Sequence, residues 1–292
     1  MTDVDAQRDD SPTAADPTPG TRISRVLVPF DSSDLAITAA TWARSLATDL
    51  GVDLVVVAPP TNASTEHDVP DEERFEDEAR SAARGELRRA GVAVDAVVVT
   101  EKGLDDELID TARSDDVVVV GVHHREGRTR WALGSPAHEL AHRLRCPLLL
   151  VPPGDGAPSG EAPVVAGLDG RGETSRVAAW AKSLAQALDR PLVAVYAYDP
   201  MYDTFDNAGD YGREERAARH EARHVDADEL LEPAGPAEHA LRRIAHERDA
   251  FLTVVGVREH ASMGGALLGK LVDHFIHTAP GPIAIVTHDG ES

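Results

Sequence analysis

Apolar residues in this chain come in short unbroken runs. VLVPF at 26–30, LVVVA at 54–58, VVVV at 117–120 and LLLV at 148–151 show no alternation with polar residues. Runs of this kind read as strands buried on both faces, which implies a parallel sheet. Between them the apolar positions recur at helical spacing. Leu35, Ala39, Trp42 and Leu46 share one face of a helix predicted over 34–49. The same reading gives strands over 25–30, 53–58, 92–99, 116–120 and 147–151. It gives further helices over 71–90, 104–114 and 135–145.

The pattern then repeats. VLVPFD at 26–31 returns as VVAGLD at 164–169, and ATWARSLA at 40–47 returns as AAWAKSLA at 178–185, both 138 positions on. VVVVG at 117–121 returns as LTVVG at 252–256, 135 positions on, and Gly134/Gly269 and Pro147/Pro282 keep that spacing. Order shared over the full length marks a tandem repeat. In the second copy 163–168, 191–198, 251–255 and 282–286 read as strands. A third strand near 225–232 is weakly patterned, and 199–211 reads as a polar, aromatic loop, a candidate lid. Alternating strands and helices predict an α/β fold: two doubly wound domains, each with a five-stranded parallel sheet. The expected organisation is a disordered acidic tail at 1–22, a first domain at 23–151, a linker at 152–162 and a second, degenerate domain at 163–288.

Charge narrows the choice of partners. With 29 Lys and Arg against 51 Asp and Glu, the net charge is −22. A chain this acidic repels phosphate backbones and anionic bilayers, so neither nucleic acid nor a membrane surface is expected as a partner. Only Lys102, Lys182 and Lys270 are lysines, a balance suited to a halophile's solvated surface. The lone cysteine, Cys146, excludes an intrachain disulfide and fits a reducing cytoplasm. No apolar run approaches the ~18 residues of a membrane span. The acidic amino-terminal stretch lacks the charge and apolar core of a signal peptide.

The chemistry concentrates after the fourth strand of each copy. GVHHREGRTRWALGSPAHELAHRLRCPLLLV at 121–151 resembles the closing segment of universal stress protein domains: Gly, two residues, Gly, nine residues, Gly, then Ser or Thr, a helix, and a last strand opened by Cys-Pro. Gly121, Gly134, Ser135, Cys146 and Pro147 fit that pattern, with His124 at the second glycine. In the second copy Gly256, Gly269 and Pro282 fit, Glu259 replaces the second glycine, and Lys270 replaces the hydroxyl residue. Asp31 and Asp169 match the family's aspartate after the first strand. The resemblance covers residues 23–151 and 163–287.

The resemblance implies an adenine nucleotide alpha-hydrolase-like fold and a cytoplasmic stress-response regulator. It implies a site for ATP, with Mg²⁺, or a related adenine nucleotide in the first copy, at Pro29, Asp31, Val120, Gly121, His124, Gly134 and Ser135. A weaker second site would use Asp169, Gly256, Gly269 and Lys270. It also implies an intramolecular pseudo-dimer joined through the last strands, 147–151 and 282–286, with a further homodimer and an unidentified protein partner as expectations. The residues give their own reason. Glycines after a strand let backbone N–H groups approach phosphates, and Ser135-Pro136 opens a helix whose amino terminus favours an anion. Alternatively, the glycines only close a tight loop, and Asp31 and Ser135 only cap helices.

No catalytic constellation is visible, so slow ATP hydrolysis is the most that is expected. HELAH at 138–142 and HEARH at 220–224 match the zinc-protease pattern but lack an identifiable third ligand, and no metal site is assigned. GGALLGK at 264–270 is followed by Leu271, which denies it the Ser or Thr of a P-loop. Two rivals stay open on the sequence: an interaction scaffold of the same family without nucleotide, and an enzyme of the same fold, such as a nucleotidyl transferase.

Overall fold

The fold comes from a computed structural model that describes residues 22–60, 72–124, 131–132, 135–154, 160–170, 174–198, 209–258, 275 and 278–288. The first copy contains β1 (Arg25–Pro29), α1 (Asp34–Leu50), β2 (Asp53–Ala58), α2 (Glu72–Arg89), β3 (Ala96–Val99), α3 (Leu104–Thr111) and β4 (Asp116–Gly121). A short pair, β5 (His123–His124) and β6 (Trp131–Ala132), comes next, then α4 (Ser135–Arg143) and β7 (Leu148–Val151). The second copy contains β8 (Val164–Leu168), α5 (Thr174–Ala187), β9 (Leu192–Tyr196), α6 (Gly209–Ala222), β10 (Glu229–Leu231), α7 (Ala237–Glu247), β11 (Leu252–Arg258) and β12 (Ile283–His288).

Both copies share one sheet of ten strands, in the order β10-β9-β8-β11-β12-β7-β4-β1-β2-β3. Each half runs third-second-first-fourth-fifth with parallel pairing throughout, which is the doubly wound order. The halves join where β12 pairs antiparallel with β7, Ile283 opposite Leu150 and Ile285 opposite Leu148. The expected meeting of the last strands is therefore present. Joining two edges leaves no bare strand at the seam.

Helices cover both faces. One core gathers Ala36 through Ala47 of α1, Ala83 and Leu87 of α2, Trp180 of α5, and Ala218 and Ala222 of α6. The opposite core takes Leu108 of α3, Leu140 of α4, and Leu241 and Ile244 of α7. This is why the strands are apolar on alternate and intervening positions alike. Trp42 and Trp180 recur at one helical position and are both buried, so packing accounts for them. Cys146 is buried in the second of these cores, and desolvation pushes its thiol up to about 12.

Two expectations change. The stretch 199–211 is not wholly loop, because Gly209 to Tyr211 open α6; its remainder, with Met201, Tyr202 and Phe205, lies outside the described residues. Tyr196 belongs to β9 and is buried, while the guanidinium of Arg219 lies 4.3 Å from the ring centre of Tyr198. The helix carrying HEARH ends at Ala222, so His224 lies beyond it, its Nδ1 2.7 Å from the His220 carbonyl. The tail, except Arg22, falls outside the described residues.

Candidate nucleotide cleft

Strand pairing locates the cleft. β1 and β2 stay paired through Pro29 opposite Val57, and β4 and β7 through Gly121 opposite Val151. β1 and β4 pair only from Arg25 opposite Asp116 to Leu27 opposite Val118. Beyond that point the sheet parts at its carboxyl end, between the two strands at which the strand order reverses. That is the topological switch point where open α/β sheets take ligands.

Local sequence builds the walls. Phe30 is buried, its N–H donating to the Val57 carbonyl at 2.8 Å, which carries the β1–β2 ladder one residue past Pro29. Asp31 stands exposed, and its Oδ1 accepts from the Ser33 N–H at 3.0 Å. Ser32 takes a left-handed turn at φ 64°. Ser33, rather than Asp31, caps α1: its Oγ accepts from the Ala36 N–H at 3.1 Å. One carboxylate oxygen of Asp31 thus fixes the turn.

Gly121 closes the opposite side. A Cβ built there would lie 2.5 Å from the Leu35 carbonyl oxygen, so only glycine lets the start of α1 sit this close to β4. Val120 and Pro29 are partly buried beside it. His124, at the position of the family's second glycine, pairs with Trp131 in the β5–β6 hairpin. Extended backbone suits any residue, which explains how histidine is tolerated there. Ser135 is the first residue of α4 rather than the residue before it. Gly134, Gly269 and Lys270 lie outside the described residues, as does the 264–270 segment.

The second copy parts in the same place. β8 and β11 pair only from Val164 opposite Leu252 to Ala166 opposite Val254. Asp169 is exposed, and a Cβ at Gly256 would come within 2.8 Å of Val177 Cγ2. The turn after Asp169 differs. Gly170 has φ 66°, almost the angle of Ser32, yet it is buried, and a Cβ there would overlap the backbone of Ala218 in α6. Ser32 is exposed. The sequence reading missed this contact, since nothing in a glycine announces the helix that will lie on it.

Among the described residues no group of three or more His, Cys, Asp or Glu could hold a metal ion. Among them, too, no helix is long and apolar enough to cross a membrane.

A doubly wound tandem fold with glycines and an aspartate at two switch points defines the class. The universal stress protein family model matches residues 22–152 and 162–287, and the chain belongs to that family. A universal stress protein of Mycolicibacterium smegmatis is 28% identical over 191 residues, 61% of this chain; the match spans 64% of that relative's length. The universal stress protein in the QAH/OAS sulfhydrylase 3′ region of Thermus aquaticus is 34% identical over 128 residues, covering 40% of this chain and 93% of that one. Among solved structures, a universal stress protein from Archaeoglobus fulgidus DSM 4304 superposes with a TM-score of 0.64 at 16% identity, over 91% of this chain and 98% of that one. The likeness to that structure concerns the fold.

Proposed function

We propose that the protein is a cytoplasmic stress-response regulator that holds one adenine nucleotide, ATP with Mg²⁺ or a relative, in the first copy's cleft. The observation that carries this reading is the parting of β1 from β4 beneath the exposed Asp31–Ser33 turn. Asp31 can accept from a ribose hydroxyl or an adenine amine. Gly121 leaves backbone within reach of a ligand at the strand end, and α4 offers unpaired N–H groups at its start. The residues fit the nucleotide: Asp31 supplies an acceptor, and the backbone at Gly121 and at the start of α4 supplies donors. With a net charge of −22 the protein gains nothing from its overall field, so Mg²⁺ would offset part of the phosphate charge. Pro29, Val120, His124, Gly134 and Ser135 complete the proposed set. In the second copy α6 lies on the Gly170 turn, and Asp169, Gly256, Gly269 and Lys270 form at most a weaker site.

The test is the nucleotide content of protein purified without added nucleotide, denatured and read by mass spectrometry. Stoichiometric ATP, ADP or AMP, reduced at least roughly tenfold in Asp31→Ala through loss of charge-assisted hydrogen bonds, is expected. Protein that is empty and also fails to take up added ATP with Mg²⁺ would overturn the reading.

A further inference from the structure

The helix that lies on the second copy's turn is held there by charge. Ala218 and Arg219, consecutive in α6, touch the segments that leave β8 and β9. Ala218 lies on Gly170, and the Arg219 guanidinium lies 4.3 Å from the ring centre of Tyr198. Glu232 directly follows β10. Its carboxylate receives Arg219 Nε at 3.1 Å and Arg223 Nε and Nη2 at 2.8 Å each. One helix therefore reaches three neighbouring strands just past their carboxyl ends, the side on which β8 parts from β11.

The matching helix of the first copy sits lower. Arg84 and Arg80 of α2 donate to the carbonyls of Asp95 at 3.5 Å and Val97 at 3.3 Å, beside β3 rather than beyond it. Val55 faces Ala96 in the first copy and its counterpart Val193 faces Glu229 in the second, which sets Val99 level with Glu232. The arginines of α6 thus grip the sheet two residues nearer its carboxyl end than Val97. Their hold is polar. Among the described side chains of α6 only Ala218 and Ala222 are buried, against Ala79, Ala83 and Leu87 in α2. Two alanine methyls bury little apolar surface, whereas forked guanidinium–carboxylate pairs fix an orientation. A helix held mainly by such a cluster can lift while the core stays closed.

We propose that the Arg219–Glu232–Arg223 cluster is a latch that keeps α6 on the Gly170 turn, and that its release uncovers the second cleft for a second adenine nucleotide. The identity of that ligand rests on the nucleotide reading of the first copy; the latch does not. The chain then carries one open site and one held in reserve, with access to the second set by Glu232.

The experiment compares amide hydrogen exchange of the full chain in the wild type, in Glu232→Gln and in the double variant Arg219→Gln/Arg223→Gln. Exchange over 164–176 and 209–224 is expected to be at least roughly fivefold faster in both variants, with the first copy's turn at 28–38 unchanged. Calorimetry with ATP and Mg²⁺ on the same proteins should then show a second site in both variants, removed by Asp169→Ala, because apparent affinity rises with the fraction of open cleft. Unchanged exchange in both variants would overturn the latch, as would acceleration spread over the whole second copy. Local acceleration with no second site, in protein whose first copy takes up ATP, would overturn the link between latch and cleft. Wild type that binds no ATP at all would sink the nucleotide reading instead, and the exchange result would still decide the latch.

Discussion

Ser32 and Gly170 occupy the same step of the same turn, 138 residues apart, at nearly the same φ. One is open to solvent and the other lies under a helix. The two copies share a sheet order, a switch point and an aspartate. What separates them is where the helix after the second strand comes to rest. Duplicated folds can therefore keep a cleft's floor and lose its entrance. The glycine at 170 is the residue that permits the loss, because an L side chain there would meet both the left-handed backbone and Ala218.

Substitutions at this step should have opposite effects. Gly170→Ala forces α6 away from the turn and should cost about 4 kcal/mol or more in denaturant unfolding. Ser32→Gly relieves a left-handed serine in open space and should change stability by no more than ~1 kcal/mol, in the stabilising direction. Equal costs at the two positions would break the comparison.

A second pair of matched positions sharpens it. Asp116 and Phe251 lie 135 residues apart at the starts of β4 and β11. The Asp116 carboxylate is fully buried, receiving Arg25 at 3.0 and 2.6 Å and the Arg113 N–H at 2.8 Å. Phe251 instead packs between copies against Trp42, with the Arg190 guanidinium 4.0 Å from its ring centre. Arg190 also donates to the Gly160 and Ala162 carbonyls of the linker. Asp116→Ala should cost about 3 kcal/mol, less than a fully enclosed pair because Arg25 still reaches water. The double variant Asp116→Ala/Arg25→Met should recover part of that loss.

Acid should weaken the second copy at Glu232. Arg223, at 2.8 Å, and then Arg219, at 3.1 Å, hold the Glu232 carboxyl down to about 2. A carboxyl depressed on folding contributes stability above its unfolded value and loses it as pH falls through the folded one. The loss should run from about pH 5 to pH 2 and amount to ~2 kcal/mol, allowing for the exposure of Arg223. Glu232→Gln should flatten that segment of the stability profile. The smallest effect is at the cap of α1, where Ser33→Ala should cost about 1 kcal/mol and loosen the Asp31 turn.

Much of this architecture could be read in advance. Unbroken valine runs placed most strands, and the 138- and 135-residue spacings placed their counterparts. Cys146 and both recurring tryptophans were legible as core. The hairpin of His123–His124 with Trp131–Ala132 was not, because two residues a side are too few to show a period. The capping role passed from Asp31 to Ser33 because both residues are strong caps and only backbone geometry decides between them. The cover over Gly170 and the contact of Trp42 with Phe251 depend on elements far apart in the chain.

The most direct measurement is a calorimetric titration of nucleotide-stripped protein with ATP and Mg²⁺. One site per chain, weakened at least roughly tenfold by Asp31→Ala and untouched by Asp169→Ala, is the predicted result. Two equal sites, or a single site that responds to Asp169→Ala alone, would contradict the account.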